Sequence, residues 1–374
     1  MNIAVIKETK IGENRVALSP TVVQQFIKAG YTCTVEAGAG YKSNFDDEAY
    51  IKAGANIESS KSEMLSKADI IVKVNALTDE EIGFSKSGSA AVSYIYAAFN
   101  PELVKKLADK NISAISMDAI PRISRAQNMD AKSSQDNLAG YKSVIMGANA
   151  LGRIFPLLMT SAGTISPSRV LIFGAGVAGL QAVATAKRLG AIVEVTDVRP
   201  ETKEQVESLG GKFIEVKTEE AVKVEGGYAK EVSDDYLAKQ KDAVNKSLAI
   251  ADLVITTALV MGRKAPILIT EEQVKLMKLG SVIVDMAVEQ GGNCELSELD
   301  KTVVKHGVTI LGQSNLPSTL PQNASELYAK NIYNLLSHLS TKDGFKWEME
   351  EEITKGTLIT HQGKTVHPSL VQTA

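Results

Sequence analysis

The hexapeptide Gly174-Ala175-Gly176-Val177-Ala178-Gly179 constrains this chain more than any other feature, because it stands between an apolar run, RVLIF, and a stretch of helical character, LQAVATAKRLG. Few backbones turn a strand straight into a helix through glycines at this spacing. Gly174 suits the tight turn, Gly176 lets the backbone approach a ligand, and Gly179 lets the helix lie close on the strand. The helix amino terminus then offers unpaired N–H groups and the positive end of its dipole to an anion. The following strand, AIVEVTD, ends in Asp197, placed where a carboxylate accepts hydrogen bonds from the ribose hydroxyls of a dinucleotide. Asp197 repels a 2′-phosphate and so favours NAD(H), although Arg199, two residues on, is a group that can serve a 2′-phosphate. A doubly wound domain whose Gly-rich turn binds nothing is the alternative.

The chain has 374 residues, 44% of them apolar, enough to bury cores for about two domains. Charged residues are 23% of it and the formal net charge is −3, so no overall field points to nucleic acid or to an anionic membrane surface. Cys33 and Cys294 lie far apart and have no metal-ligand companions at short spacing, which reads as free thiols in a reducing compartment and no metal site. The opening MNIAVIKETK meets charge at once, as a first strand does and a secretory signal does not. Asn149 and Arg153 interrupt the apolar stretch Val144 to Gly163, leaving it short of the roughly 18 uncharged residues of a membrane span.

Residues 1 to about 130 alternate β-branched runs (NIAVIK, YTCTVEAG, IIVKV) with helical stretches near Pro20 to Gly30 and Asp46 to Gly54, the rhythm of βαβ units. Residues 134 to 163 carry apolar positions at helical spacing and are expected to form one long connecting helix. Beyond the glycines, ADLVITTAL, GSVIVDMAV and GVTILGQSN are further buried-strand candidates, and ASELYAKNIYNLLSHLS is an amphipathic helix expected to pack back on the first domain. The expected fold is α/β, with two Rossmann-like domains of mostly parallel sheet joined by long helices and a cleft between them. The first takes residues 1–133 and 321–374, the second 134–320. Residues 217 to 245 are polar and charge-dense around Gly226-Gly227-Tyr228, consistent with a solvated insertion running into a surface helix.

Several stretches together resemble one superfamily, that of alanine dehydrogenase and the NAD(H)-binding domain of proton-translocating transhydrogenase. KETKIGENRVALSP, with Arg15, is similar to the opening shared by both branches. GAGVAGLQAVATAKRLGA, ADLVITTAL, DMAVEQGGNCE and NLPS resemble shared cofactor-domain segments, which implies cofactor contacts from Gly174 through Gly179, from Asp197, Val198 and Arg199, from Thr257, Ala258 and Leu259, and from Asn315. The branches part elsewhere. Alanine dehydrogenases carry a V-K-V-K motif whose last lysine polarises the substrate carbonyl, and an H-L-A stretch with a catalytic histidine. Here the first reads Val72-Lys73-Val74-Asn75 and the second Tyr96-Ala97-Ala98.

The run Pro121-Arg122-Ile123-Ser124-Arg125-Ala126-Gln127-Asn128-Met129-Asp130, with Ser133-Ser134-Gln135 after it, resembles the transhydrogenase loop around the nicotinamide end of NAD(H). That resemblance assigns Arg122, Gln127, Asp130 and Ser133 to the reacting end; without it, Arg122 and Asp130 read as a surface ion pair of little energetic weight. Glu225-Gly226-Gly227-Tyr228-Ala229-Lys230 resembles the mobile loop that closes over bound nucleotide, with Tyr228 its inward aromatic. His361 and His367 fall in a stretch resembling the family's terminal hairpin and are expected to be structural or solvent-exposed. The transhydrogenase resemblance implies hydride transfer between NADH and NADP+ held on a separate NADP(H)-binding component, a membrane-spanning component for proton movement, a homodimer, and a cytoplasmic position on the membrane face held through those partners. The rival readings are an NAD-dependent amino-acid dehydrogenase and a non-catalytic NAD-binding regulator.

Overall fold

The computed structural model describes residues 1–215, 223–225, 228–231, 234–259 and 264–371, with backbone alone for the parts within 223–238. It divides into two compact units, Met1–Gln135 with Pro317–Ala374, and Asp136–Leu316. Among the described residues no helix is long and apolar enough to cross a membrane.

The first unit is built on an eight-stranded sheet. Its six parallel strands run, in spatial order, Ser113–Ser116, Ala90–Ser93, Ile70–Val72, Asn2–Val5, Thr32–Glu36 and Asn56–Glu58. The first three of these are buried at every position, as strands covered by helices on both faces must be. Leu358–His361 adds antiparallel to Ser113–Ser116, and Lys364–Thr365 follows it at the edge. The amphipathic helix seen in the sequence is Pro321–Leu339, whose Tyr328, Ala329, Ile332, Leu335, Leu336 and Leu339 join the core of this unit with Phe26, Tyr50 and Val35.

The second unit carries a seven-stranded sheet in the order Lys212–Phe213, Ile192–Thr196, Arg169–Phe173, Leu253–Thr256, Val282–Asp285, Val308–Leu311, Thr302–Lys305. All pairings are parallel except the last. From Arg169–Phe173 the chain builds outward on one side through Ile192–Thr196, then crosses over to Leu253–Thr256 on the other. That change of direction is a topological switch point, and ligands of open α/β sheets bind beyond the carboxyl ends of the two strands that flank it. Here those ends are Gly174 and Thr257.

The expected helix over 134 to 163 is corrected by the structure. The helix is Ala131–Ala150, and the chain then enters an antiparallel hairpin of Leu158–Thr160 with Gly163–Ile165. Gly152 and Pro156 account for the stop, since glycine weakens a helix and proline lacks the N–H the next turn needs. In the polar insertion the backbone pairs Lys223–Glu225 with Tyr228–Glu231, and the surface helix is Asp234–Ile250. Gly226, Gly227 and the side chain of Tyr228 lie outside the described residues.

Candidate functional site

At the switch point of the second unit each glycine of the fingerprint meets a different steric demand. Gly174 has φ +100°, a left-handed conformation, and a Cβ there would sit 2.4 Å from Thr257 Oγ1. A Cβ on Gly179 would sit 1.9 Å from the Gly174 carbonyl oxygen, so the helix Val177–Arg188 lies against the strand end at a distance only glycine permits. Gly176 caps that helix in extended conformation without a side-chain hydrogen bond, and nothing lies within 4 Å of where its Cβ would be. The open space beside Gly176 and the uncapped first turn form a cradle that a β-carbon would fill, which fits an anionic group such as a diphosphate.

Beside it lies a cavity of about 320 Å³, lined by Phe173, Gly174, Thr196, Asp197, Val198, Ala258, Ile267 and Leu268 among others. That is the low end of the small-molecule range, enough for a nucleoside. The Asp197 side chain is 5% exposed and its carboxylate is fully engaged. Oδ2 accepts from the Ala175 amide at 2.6 Å and from Arg199 Nη2 at 2.9 Å, and Oδ1 accepts from the Arg199 amide at 2.8 Å and from Arg199 Nε at 3.0 Å. Burial pushes this carboxyl up, but the Arg199 side chain, the two amides and the Arg199 charge outweigh it and hold it below the usual carboxylate range. Asp197 is therefore an anion at neutral pH, and a ribose diol reaches it by taking the place of Arg199 donors. Arg199 folds onto the carboxylate rather than standing free for a 2′-phosphate.

Thr257 and Ala258 meet the cavity in a way the sequence did not suggest. The Thr257 hydroxyl donates to the Phe173 carbonyl at 3.0 Å, tying the two strand ends together. Both backbone polar groups of Ala258 are held by the Asn293 side chain, at 3.0 and 2.9 Å. Ala258 thus offers the cavity an apolar surface. Leu259 is exposed, and Asn315 has φ +45° in the turn that follows Val308–Leu311.

In the first unit the loop Arg122 to Ser133 is a firm platform carrying two unengaged polar groups. Ala126 and Met129 are buried, the Asn128 carbonyl accepts from Asn331 Nδ2 and Asn334 Nδ2 at 2.9 Å each, and Arg125 pairs with Glu351 and Glu352. Asp130 caps the helix Ala131–Ala150: its carboxylate accepts from the Ser133 amide at 2.9 Å and from the Ser133 hydroxyl at 2.6 Å. That satisfies Asp130 and Ser133 together and leaves no Arg122–Asp130 ion pair. The Arg122 guanidinium and the Gln127 carboxamide are exposed and make no hydrogen bond or ion pair among the described residues.

The first unit has its own switch point, between Asn2–Val5 and Ile70–Val72, and its side chains fill it. Glu8 accepts from the Val74 and Asn75 amides at 2.6 and 3.1 Å. Arg15, 7% exposed, donates through Nε and Nη2 to the two oxygens of Glu13 at 2.8 and 2.7 Å, and through Nη1 to Gln135 at 2.9 Å. The Asn75 carboxamide nitrogen donates to both Glu8 and Glu13. Burial pushes the Glu13 carboxyl up, but the Arg15 hydrogen bonds and charge bring it down to about 2. Lys73 sits in a buried pair with Glu81 at 2.7 Å and is structural. His361 is wedged between Ser113 Oγ at 2.9 Å and the Trp347 ring, with its pKa lowered by burial, and His367 bonds Ser369 and the Gly356 carbonyl.

Comparison with known proteins follows these features closely. The chain matches the family model described as alanine dehydrogenase/PNT, N-terminal domain, over residues 4–139 and the corresponding C-terminal domain over residues 143–368. It is 50% identical to the first of the separately encoded parts of NAD(P) transhydrogenase subunit alpha in Rhodospirillum rubrum, over 99% of each chain. It is 34% identical to alanine dehydrogenase of Bacillus subtilis, over 100% of this chain and 94% of that one. Among solved structures, a transhydrogenase from Sinorhizobium meliloti superposes with a TM-score of 0.90 at 41% identity, covering 98% of this chain and 100% of its own.

Proposed function

The chain belongs to the alanine dehydrogenase/PNT family, and we propose that within it this protein is the NAD(H)-binding component of a proton-translocating nicotinamide nucleotide transhydrogenase. The observation that carries the choice is Asn75. An amine at this position would polarise a substrate carbonyl, but the carboxamide present is spent on Glu8 and Glu13, and the one lysine nearby pairs with Glu81. Position 96, at the expected histidine, is tyrosine. Reduction of an imino acid then has no proton donor at either place. Exchange of a hydride between two nicotinamide rings needs none, because the chemistry belongs to the cofactors.

In this reading Gly174, Ala175, Gly176, Val177, Ala178 and Gly179 receive the diphosphate, and Asp197, with Val198 and Arg199, the adenosine ribose. Thr257, Ala258, Leu259 and Asn315 complete the second unit's contribution. NADH, when bound, supplies the hydride. Arg122 and Gln127 act at the nicotinamide end, which accounts for two unengaged polar groups on an otherwise well-tied loop; Asp130 and Ser133 fix the loop's exit and the carboxamide's orientation. Tyr228 closes over the nucleotide. The work of these residues is to orient and to exclude water, since alignment lowers the barrier without any covalent step. NADP(H) belongs to a separate component and proton passage to a membrane-spanning one. The name of the Rhodospirillum rubrum relative, which describes a subunit divided among chains, supports this arrangement. The chain works as a dimer on the cytoplasmic face, held there by those partners.

An assay of the purified chain alone with NADH, pyruvate and ammonia separates this reading from the amino-acid dehydrogenase one. NADH binding without pyruvate-dependent oxidation is expected, and sustained oxidation overturns the proposal.

A further inference from the structure

We infer that Asn293 is a positioning residue of the nucleotide site, bracing two walls of the adenosine cavity through one carboxamide; this rests on the reading that the cavity takes the adenosine half of NAD(H). Asn293 is fully buried. Its Oδ1 accepts from the Ala258 amide at 3.0 Å, and its Nδ2 donates to the Ala258 carbonyl at 2.9 Å and to the Pro266 carbonyl at 2.8 Å. Its own carbonyl accepts from the amides of Leu268 and Ile269 at 2.8 and 3.0 Å. Ala258 and Leu268 line the cavity from two segments of chain, so a single residue sets the spacing between them.

Asn293 is in turn fixed from below by Asp285, a fully buried carboxylate at the end of the strand Val282–Asp285. Asp285 accepts from the Asn293 amide at 2.9 Å, the Cys294 amide at 3.0 Å, the Ala287 amide at 3.0 Å, Ser297 Oγ at 2.6 Å and Thr256 Oγ1 at 3.1 Å. Gly292, at φ +81°, makes that approach possible: a Cβ there would stand 2.8 Å from Asp285 Oδ2. The stretch Asp285 to Asn293 therefore reads as one device, in which a carboxylate gathers a loop, a glycine lets it close, and an amide passes the position on to Ala258.

The residue type is testable because only a carboxamide both accepts from one amide and donates to two carbonyls. In Asn293→Asp the protonated carboxyl keeps the acceptor and one donor, while the ionised form turns two oxygens on the Ala258 and Pro266 carbonyls, which raises the carboxyl's pKa. Affinity for NAD⁺ is measured by calorimetry between about pH 5.5 and about pH 9, a range in which Asp197 stays ionised. The wild type should be flat. The variant should approach wild-type affinity at the acid end and bind roughly tenfold or more weakly at the alkaline end. A variant that tracks the wild type at every pH overturns the positioning role alone; a wild type that binds no NAD⁺ overturns the nucleotide reading beneath it. Should the variant not fold, hydrogen exchange in the wild type without nucleotide decides: the Ala258 amide should be strongly protected, and rapid exchange there refutes the brace.

Discussion

Replacing Gly140 by alanine puts packing and helix propensity in direct opposition. Gly140 lies inside the helix Ala131–Ala150, where alanine is intrinsically better by about 0.5–1 kcal/mol. A Cβ at this position, however, would stand 2.1 Å from the Ala178 carbonyl oxygen and 2.9 Å from its carbon, both backbone atoms in the first turn of the fingerprint helix. Ordinary contact requires about 1 Å more, and backbone cannot rotate aside as a side chain can. Overpacking of this kind costs about 1–3 kcal/mol, and a backbone obstacle places it at the upper end, for a net loss of about 2 kcal/mol. In a unit of this size that lowers Tm by roughly 4–8 °C. Gly83→Ala is the matched control: Gly83 is also helical, but nothing lies within 4 Å of its Cβ position, so Tm should rise slightly. Calorimetry with and without NADH reads both, and Gly140→Ala should also weaken NADH because Ala178 belongs to the diphosphate turn. A Gly140→Ala protein as stable as the wild type, or shifted in the same direction as Gly83→Ala, would refute the reasoning.

Three further outcomes follow from the site. Asp197→Asn removes charge from an anion that faces the ribose; NADH affinity should fall about 10- to 100-fold while NADPH loses less, and an unchanged NADH-to-NADPH ratio in titrations would remove Asp197 from the specificity role. Gln127→Asn shortens an exposed amide that holds no structural bond among the described residues, so it should slow hydride transfer far more than it weakens NADH binding, with equal effects on both counting against a role at the reacting end. Glu13, held at about 2 in the folded protein, contributes stability that is present above the ordinary carboxylate range and is lost as pH falls toward 2. That shift corresponds to about 3 kcal/mol, so Glu13→Gln should destabilise the first unit at neutral pH and converge on the wild type near pH 2; a constant offset in acid unfolding curves would contradict the linkage.

What is legible in the sequence is what is encoded locally. A strand, three glycines and a helix in succession specify their own turn geometry, and Asp197 follows from the length of the intervening helix, so the Rossmann-like second unit can be read directly. The cap made by Asp130 is a local signal of the same kind, an acidic residue three positions before a serine at a helix start. The hairpin Leu158–Thr160 with Gly163–Ile165 reads as helix in the sequence because apolar residues without clear alternation do not distinguish the two; Gly152 and Pro156 are the signals that do. Asn293 carries no local signal at all: its partners Ala258, Pro266 and Leu268 come to it only when the sheet has formed. The filling of the first unit's switch point by Glu8, Glu13, Arg15 and Asn75 is likewise a product of strand order.

Hydride transfer from NADH to an acetylpyridine analogue of NAD⁺, measured with this chain and a separately expressed NADP(H)-binding component in the presence of NADP(H), tests the central claim most directly. The account predicts rapid transfer that requires both proteins and NADP(H). Transfer by this chain alone, or none with the partner present while both proteins bind their nucleotides, would contradict it.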